Sequence, residues 1–307
     1  MSSSLPTLRQ LQFLIALAEQ GSFSRAAEAA HVTQPTLSAA IKELEGVLGV
    51  VLVERGARGA SLTPAGAAAL ERARIVITEA EDMVAAAQAA GEPLAGPFRL
   101  GVIPTIAPFL LPVVLPALRQ AFPKLELFLR EDLTSRLCDS LRERRLDAAL
   151  IALPYPSAGI ECTPIAGDEF LFACAADHPL AGRKTLARRD LEGESLLLLE
   201  DGHCLRDHAL SACAAGESRS DFAATSLHTL VQMVKSGLGA TVLPRMAVEA
   251  GLVDRLGLSV IPFDPPIMGR EIGIAWRKGS ARAEEAQRLG EAIKAAAPGS
   301  ALPVYKI

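Results

Sequence analysis

Apolar residues recur at helical spacing near the start of the chain. Leu8, Leu11, Phe13, Leu14, Leu17 and Ala18 form one stripe over residues 8–20. Gly21-Ser22 breaks it. An alanine-rich second helix follows from Arg25 to Ala30, with Ser22 or Ser24 as its cap. After His31-Val32-Thr33 a third helix opens on Gln34-Pro35 and runs to about Leu48, burying Leu37, Ile41 and Leu44. Thr33 can cap it, and proline suits a first turn. Residues 50–63 read as a two-stranded wing that turns at Gly56 to Gly59. From Thr63-Pro64-Ala65-Gly66 to about Ala90 the pattern is one long helix, with Leu70, Ile75, Ile77, Met83 and Val84 among alanines. So weak an apolar face does not hold a lone helix. It predicts pairing with a second copy of the chain, the alternative being packing against its own chain.

Residues 91–97, Gly-Glu-Pro-Leu-Ala-Gly-Pro, are a linker. Beyond it short apolar runs alternate with helical ones. Strands are expected at 98–103, 125–131, 147–153, 169–176, 195–200, 221–225, 240–244, 258–263 and 271–277. Helices fit 107–120, 134–144, 205–214, 227–236, 245–251 and 280–295. This is an α/β pattern with largely parallel sheets, and so many strands imply two lobes. Three segments result: an amino-terminal helical module at 1–66, a long helix suited to dimerisation at 67–90 and a two-lobed α/β domain at 91–307. Ligands in such α/β folds sit beyond the carboxyl ends of strands, often in a cleft.

Composition narrows the classes. The chain has 307 residues, is 50% hydrophobic and carries a formal charge of -4. That excludes a non-specific nucleic-acid coat, though not a small DNA-reading module. No apolar run reaches the ~18 residues of a membrane span. The start lacks a basic flank and an apolar core, so secretion is not expected. Five cysteines without framework spacing suit a cytoplasmic chain with mostly reduced thiols. No phosphate loop, dinucleotide fingerprint, metalloprotease run or nucleophile elbow occurs, and the histidines and cysteines lack ligand spacing, so neither a cofactor nor a metal is expected.

Two short helices joined by a tight turn make a helix-turn-helix, whose second helix enters the major groove. Gln34-Pro35-Thr36 and Ser38 are then the base-facing candidates, and Lys42 suits a phosphate. Arg55 and Arg58 on the wing suit neighbouring phosphates. The competing reading is a structural three-helix bundle with solvated arginines. In the carboxyl-terminal half, Thr105, Thr134 and Thr225-Ser226 stand where strands give way to helices. Each is either a plain cap or part of a cleft for a small polar ligand.

Cys204 and Cys213 stand nine residues apart in a helical stretch, about 13.5 Å along its axis. A disulfide needs Cα atoms closer than about 7 Å, so joining the two breaks the helix. Cys204 sits near the helix start, where free N–H groups favour a thiolate, with His203 and Arg206 beside it. A thiolate attacks a peroxide to give a sulfenic acid, which condenses with a second thiol. Leu205 and Leu210 are expected to anchor the reduced helix, Ala209 and Ala212 adding little. The alternative is that both cysteines are small buried residues; Cys138, Cys162 and Cys174 are expected to be structural.

The stretch from Phe13 to Ala30, then Val32 to Glu45, with Glu54-Arg55 and Leu62-Thr-Pro-Ala-Gly66, resembles the winged helix-turn-helix of LysR-type transcriptional regulators. The resemblance covers about residues 8–297. Within that family the runs Gly101-Val-Ile-Pro-Thr105, Leu199-Glu-Asp-Gly-His-Cys-Leu-Arg-Asp207 and Arg270-Glu-Ile-Gly-Ile-Ala-Trp-Arg277 are similar to the members that sense hydrogen peroxide. The resemblance implies a regulatory domain like the two-lobed periplasmic binding proteins. It makes Cys204 the peroxidatic and Cys213 the resolving cysteine, with Thr105, Thr134, His203, Arg206, Asp207 and Arg270 around the reactive sulfur. It also implies promoter DNA, hydrogen peroxide and RNA polymerase as partners, tetramers built from two dimers, and control of antioxidant genes. A regulator answering to a small anionic metabolite in the cleft, and a thiol peroxidase carrying a DNA-binding module, are the competing functions. The chain departs from the pattern in the alanine-rich stretch after Cys213.

Overall fold

A computed structural model describes residues 5–56, 59–89, 94–192, 194, 196–213 and 223–297. The chain divides into two compact units, one of residues 1–90 with 143–145 and one of 91–142 with 146–307.

In the first unit, helix α1 spans Leu8–Gln20. Thr7 and Gln10 hydrogen-bond each other's backbone N–H to start it, and Gly21, at φ 58°, ends it in a left-handed turn. Helix α2 is Phe23–Ala29, with Ser22 at its cap position but no side-chain cap bond. Helix α3 is Gln34–Leu48, opened by the Thr33 hydroxyl accepting from the N–H of Thr36. Leu14, Leu17, Ala26, Leu37, Ile41, Leu44 and Leu52 bury together, the contiguous face their spacing predicts. Glu45 accepts from the N–H groups of Leu52 and Val53, tying α3 to the wing. The wing is a hairpin of β1, Val53–Gly56, and β2, Gly59–Leu62. Helix α4, Pro64–Ala89, starts where Thr63 accepts from the N–H of Gly66. Gly66 is required there, because a Cβ would lie 2.0 Å from the Leu52 carbonyl oxygen. Along α4, Leu70 is buried while Val76, Met83 and Val84 are exposed.

The second unit is built on a six-stranded sheet. Strand β3 (Gly96–Val102) pairs in parallel with β4 (Leu125–Glu131) and β5 (Ala148–Leu153). Helices α5 (Ala107–Ala121) and α6 (Thr134–Arg142) make the crossovers. Two long strands then run through both lobes: β6, Ile160–Cys174, and β10, Ser259–Arg277. They pair antiparallel with each other, β10 also runs antiparallel to β5, and β9 (Thr241–Pro244) pairs antiparallel with β6. The sheet order is β4-β3-β5-β10-β6-β9, and a separate parallel pair joins β7 (Leu198–Leu199) to β8 (Ala223–Ala224). Helices α7 (Cys204–Cys213), α8 (Leu227–Lys235) and α9 (Arg245–Glu249) belong to the second lobe, and α10 (Ala283–Ala296) returns to the first.

The expected α/β class and two lobes stand, but the sheet is mixed rather than largely parallel. The breaks expected in β10 come from Pro262, Pro265 and Pro266. The strand absorbs them where pairing passes from Pro262–Leu171 directly to Ile267–Phe170, so the intervening residues leave the ladder without ending it. The first lobe buries Leu100, Leu137, Ala149, Ile151, Ile274 and Leu289, and the second Phe172, Leu197, Leu205, Val231, Leu243 and Ile261.

Candidate redox site

Cys204 is the first residue of α7 and is half-buried. The turn before it is possible because Gly202 takes φ 96°. The Thr134 hydroxyl, at the first turn of α6, donates to the Cys204 Sγ across 3.5 Å. Thr134 is therefore more than a cap. His203 is buried beside it, and burial holds its imidazole below the usual range against the pull of Glu200. Thr105 is also buried. Together Thr105, Thr134, His203 and Cys204 line a niche of only about 10 Å³ between the end of β3, α6 and the start of α7.

Arg270 does not line that niche. Its side chain is fully buried, with Nη1 donating to the Thr105 hydroxyl across 2.7 Å and Nη2 to the Thr105 carbonyl across 2.9 Å. Its other face pairs with Asp168 Oδ2, 3.0 Å from Nε. Asp168 Oδ1 in turn accepts from the N–H of Met246 at the start of α9. Arg270 thus reaches the niche through Thr105 and braces the lobe crossing. Arg206 donates to the Leu199 carbonyl and pairs with Asp201, 3.0 Å away. Asp207 is exposed on the flank of α7. Cys213 ends the same helix; its side chain lies outside the described residues. Leu205 is buried and Leu210 half-buried, as expected, but Ala209 is also fully in the core, where an alanine suits the close approach of α7 to the lobe.

Thr225-Ser226 does not join the niche: Ser226 caps α8, accepting from the N–H of Thr229. Sequence reasoning missed three neighbours. Asp168, beside Glu169 in a strand that also holds Glu161, carried no signal that set it apart. His208 is one helical turn after Cys204 and hydrogen-bonds the backbone of Pro154, with its Nδ1 buried and unpartnered. Burial and Arg270 lower its pKa, with Asp207 opposing. Tyr155 sits close enough to Cys204 and Cys138 to feel their charge. His208 stands at i+4 from Cys204, a helical spacing that could have found it, whereas Tyr155 follows no spacing rule because it arrives just after the end of β5.

In the first unit, Gln34, Pro35, Thr36 and Lys42 are exposed on α3, and Ser38 is half-buried. Gln34 Oε1 accepts from Ser24, and the Thr36 hydroxyl shares a hydrogen bond with Thr33, so both are pre-set on the free face of the helix. Arg55 stands on β1, paired across the hairpin with Ala60. Arg58 lies outside the described residues.

A helix-turn-helix with a wing, a long helix and a two-lobed domain with a buried thiol niche define a class. Residues 8–67 match the bacterial regulatory helix-turn-helix of the LysR family, and residues 91–298 match the LysR substrate-binding domain. The chain belongs to the LysR family of DNA-binding transcriptional regulators. It is 42% identical over 294 residues to the DNA-binding transcriptional dual regulator OxyR of Escherichia coli strain K12, covering 95% of this chain and 96% of that protein. It is 43% identical over 291 residues to a probable hydrogen peroxide-inducible genes activator of Mycobacterium avium, covering 94% of this chain and 93% of that protein. A full-length OxyR variant from Pseudomonas aeruginosa aligns at 36% identity with a TM-score of 0.77, covering 96% of each chain. A hydrogen peroxide-bound OxyR mutant from Corynebacterium glutamicum aligns at 36% identity with a TM-score of 0.67, covering 96% of this chain and 94% of that one.

Proposed function

We propose that this LysR-family regulator senses hydrogen peroxide through Cys204 and Cys213 and controls antioxidant genes. The observation that carries the reading is the Thr134 hydroxyl donating to the Cys204 sulfur inside a niche that admits little more than one water-sized sphere. No metabolite fits in that niche. The thiolate attacks one peroxide oxygen; the S–O bond forms as O–O breaks, leaving a sulfenic acid, and the departing hydroxide is protonated to water. Cys213 then displaces a second water to close the disulfide.

The step has a mechanical consequence. Cys204 and Cys213 bound a continuous ten-residue helix. Nine rises separate them by about 13.5 Å, against the ~7 Å limit for a disulfide. Oxidation therefore unwinds α7 and withdraws Leu205 and Ala209 from the second-lobe core. The regulator binds double-stranded promoter DNA through α3, with Gln34, Pro35, Thr36 and Ser38 toward base edges and Lys42, Arg55 and Arg58 toward phosphates. It acts in the cytoplasm as a homodimer through α4, whose Val76, Met83 and Val84 are exposed, and as a tetramer touching RNA polymerase. Among the described residues no helix is long and apolar enough to cross a membrane.

Peptide mapping by mass spectrometry after stoichiometric hydrogen peroxide tests the proposal. A Cys204–Cys213 linkage is expected, lost in Cys204→Ser. Recovering only reduced thiols, or a different pair, overturns it.

A further inference from the structure

A cavity of about 460 Å³ opens on the second unit between α5, the lobe crossing of β6, α9 and the end of α10. No residue lines both this cavity and the niche at Cys204. Its volume falls within the range of small-molecule sites, about 300 to 1,000 Å³. Phe109, Ile165, Ile272 and Ile293, all buried, form an apolar floor. The charges around that floor are unequally matched. Asp168 is bound to Arg270 and to the N–H of Met246. Glu169 Oε2 accepts from Arg245 Nε and Nη2 at 3.1 and 2.9 Å, and Glu249 stands 3.8 Å from the same guanidinium. Lys294, exposed in the last turn of α10, lines the cavity without a side-chain partner among the described residues.

We propose that this cavity is a binding site for an amphiphilic carboxylate, a hydrocarbon group bearing a single acid. The hydrocarbon lies on Phe109, Ile165 and Ile293, where burial of apolar surface drives binding. The carboxylate meets the Lys294 ammonium, which fixes its orientation. A cation is disfavoured, because Asp168, Glu169 and Glu249 already face arginines and Lys294 repels it. A small polar anion is disfavoured because an apolar floor does not replace its water. The occupant lies against the brace of the lobe crossing: Asp168 lines the cavity, and its partner Arg270 reaches Thr105 in the niche. The thiol takes no part in binding, so the site stands whether or not Cys204 senses peroxide.

The test uses the reduced full-length protein and its Lys294→Gln and Val113→Phe variants. Each is titrated calorimetrically with octanoate, 1-octanol and acetate, and a melting curve confirms that it is folded. Octanoate should bind the unaltered protein saturably, at one site per chain. Acetate should not bind, and 1-octanol should bind about fivefold more weakly than octanoate, the worth of one exposed charge contact. Lys294→Gln should bring octanoate down to the level of 1-octanol and leave 1-octanol unchanged. Val113, exposed on α5, lines the cavity; Val113→Phe fills it and should weaken both ligands about tenfold or more. No saturable binding of octanoate overturns the inference. So does equal affinity for octanoate and 1-octanol, or an affinity that neither variant changes. Binding that appears only on dilution of the protein, or only after removal of residues 298–307, would give the cavity to a second copy or to that segment and also overturn it.

Discussion

One hydroxyl, from Thr134, and two imidazoles, His203 and His208, lie around Cys204. Thr134 keeps its shape but loses its donor in Thr134→Val. Peroxide reduction by Cys204 is expected to slow about 10²-fold, the usual worth of one positioned donor, with little change in thermal stability. Stopped-flow oxidation with a melting curve on the same sample checks both halves. His203 and His208 carry a pH signature. Burial depresses both imidazoles below the ordinary value of 6.5. The unfolded chain therefore binds protons that the folded chain refuses. The stability of the neutral pair is fully present above pH 6.5 and drains away as pH falls through the folded values. Melting temperature should drop from pH 7.5 to pH 5.5, and His208→Gln, which keeps a donor for the Pro154 carbonyl without titrating, should flatten the curve. An unchanged slope in that variant would assign the acid sensitivity elsewhere.

Helix α7 and the entry to α4 act as elements. Leu205 is 3% exposed and is buried only while α7 is intact. Leu205→Ala should weaken the reduced form selectively. A loss of ~2 kcal/mol moves a two-electron couple by ~40 mV, so the Cys204–Cys213 potential is expected to become more negative by that order. Equilibration against thiol–disulfide buffers measures it. In the first unit, Gly66→Ala forces a Cβ onto the Leu52 carbonyl at 2.0 Å. Loss of DNA binding and of the first unit's cooperative unfolding is expected, while peroxide reactivity at Cys204 persists.

Across the regulatory domain, the Arg270–Asp168 pair joins the end of β3, the lobe crossing in β6 and the start of α9 through Thr105 and Met246. Removing one partner of a buried pair leaves an uncompensated charge, at a cost of about 3–5 kcal/mol. Arg270→Ala should therefore lower the denaturation midpoint of the regulatory domain far more than Arg206→Ala, whose guanidinium reaches a carbonyl and the exposed Asp201. Much of this architecture was legible along the chain. The stripe through Leu11, Leu14 and Leu17, the Thr33 cap before Gln34-Pro35, and the strand-helix alternation from Phe98 onward all follow from local periodicity and capping, which need only near neighbours. The continuous β10 was not legible, because a ladder on either side can carry prolines that read as a break in isolation. The meeting of Thr134 with Cys204, 70 residues apart, depends on where two crossovers end. So does the sharing of Thr105 by Arg270, 165 residues away. Sequence alone determined which segments are helices, which face is buried and which residues are reactive in kind, because those follow from residue type and spacing. Only the tertiary structure decided which hydroxyl touches the sulfur and which arginine is spent on bracing the lobes. Packing the two lobes on shared long strands sets those distances, and no local rule contains them.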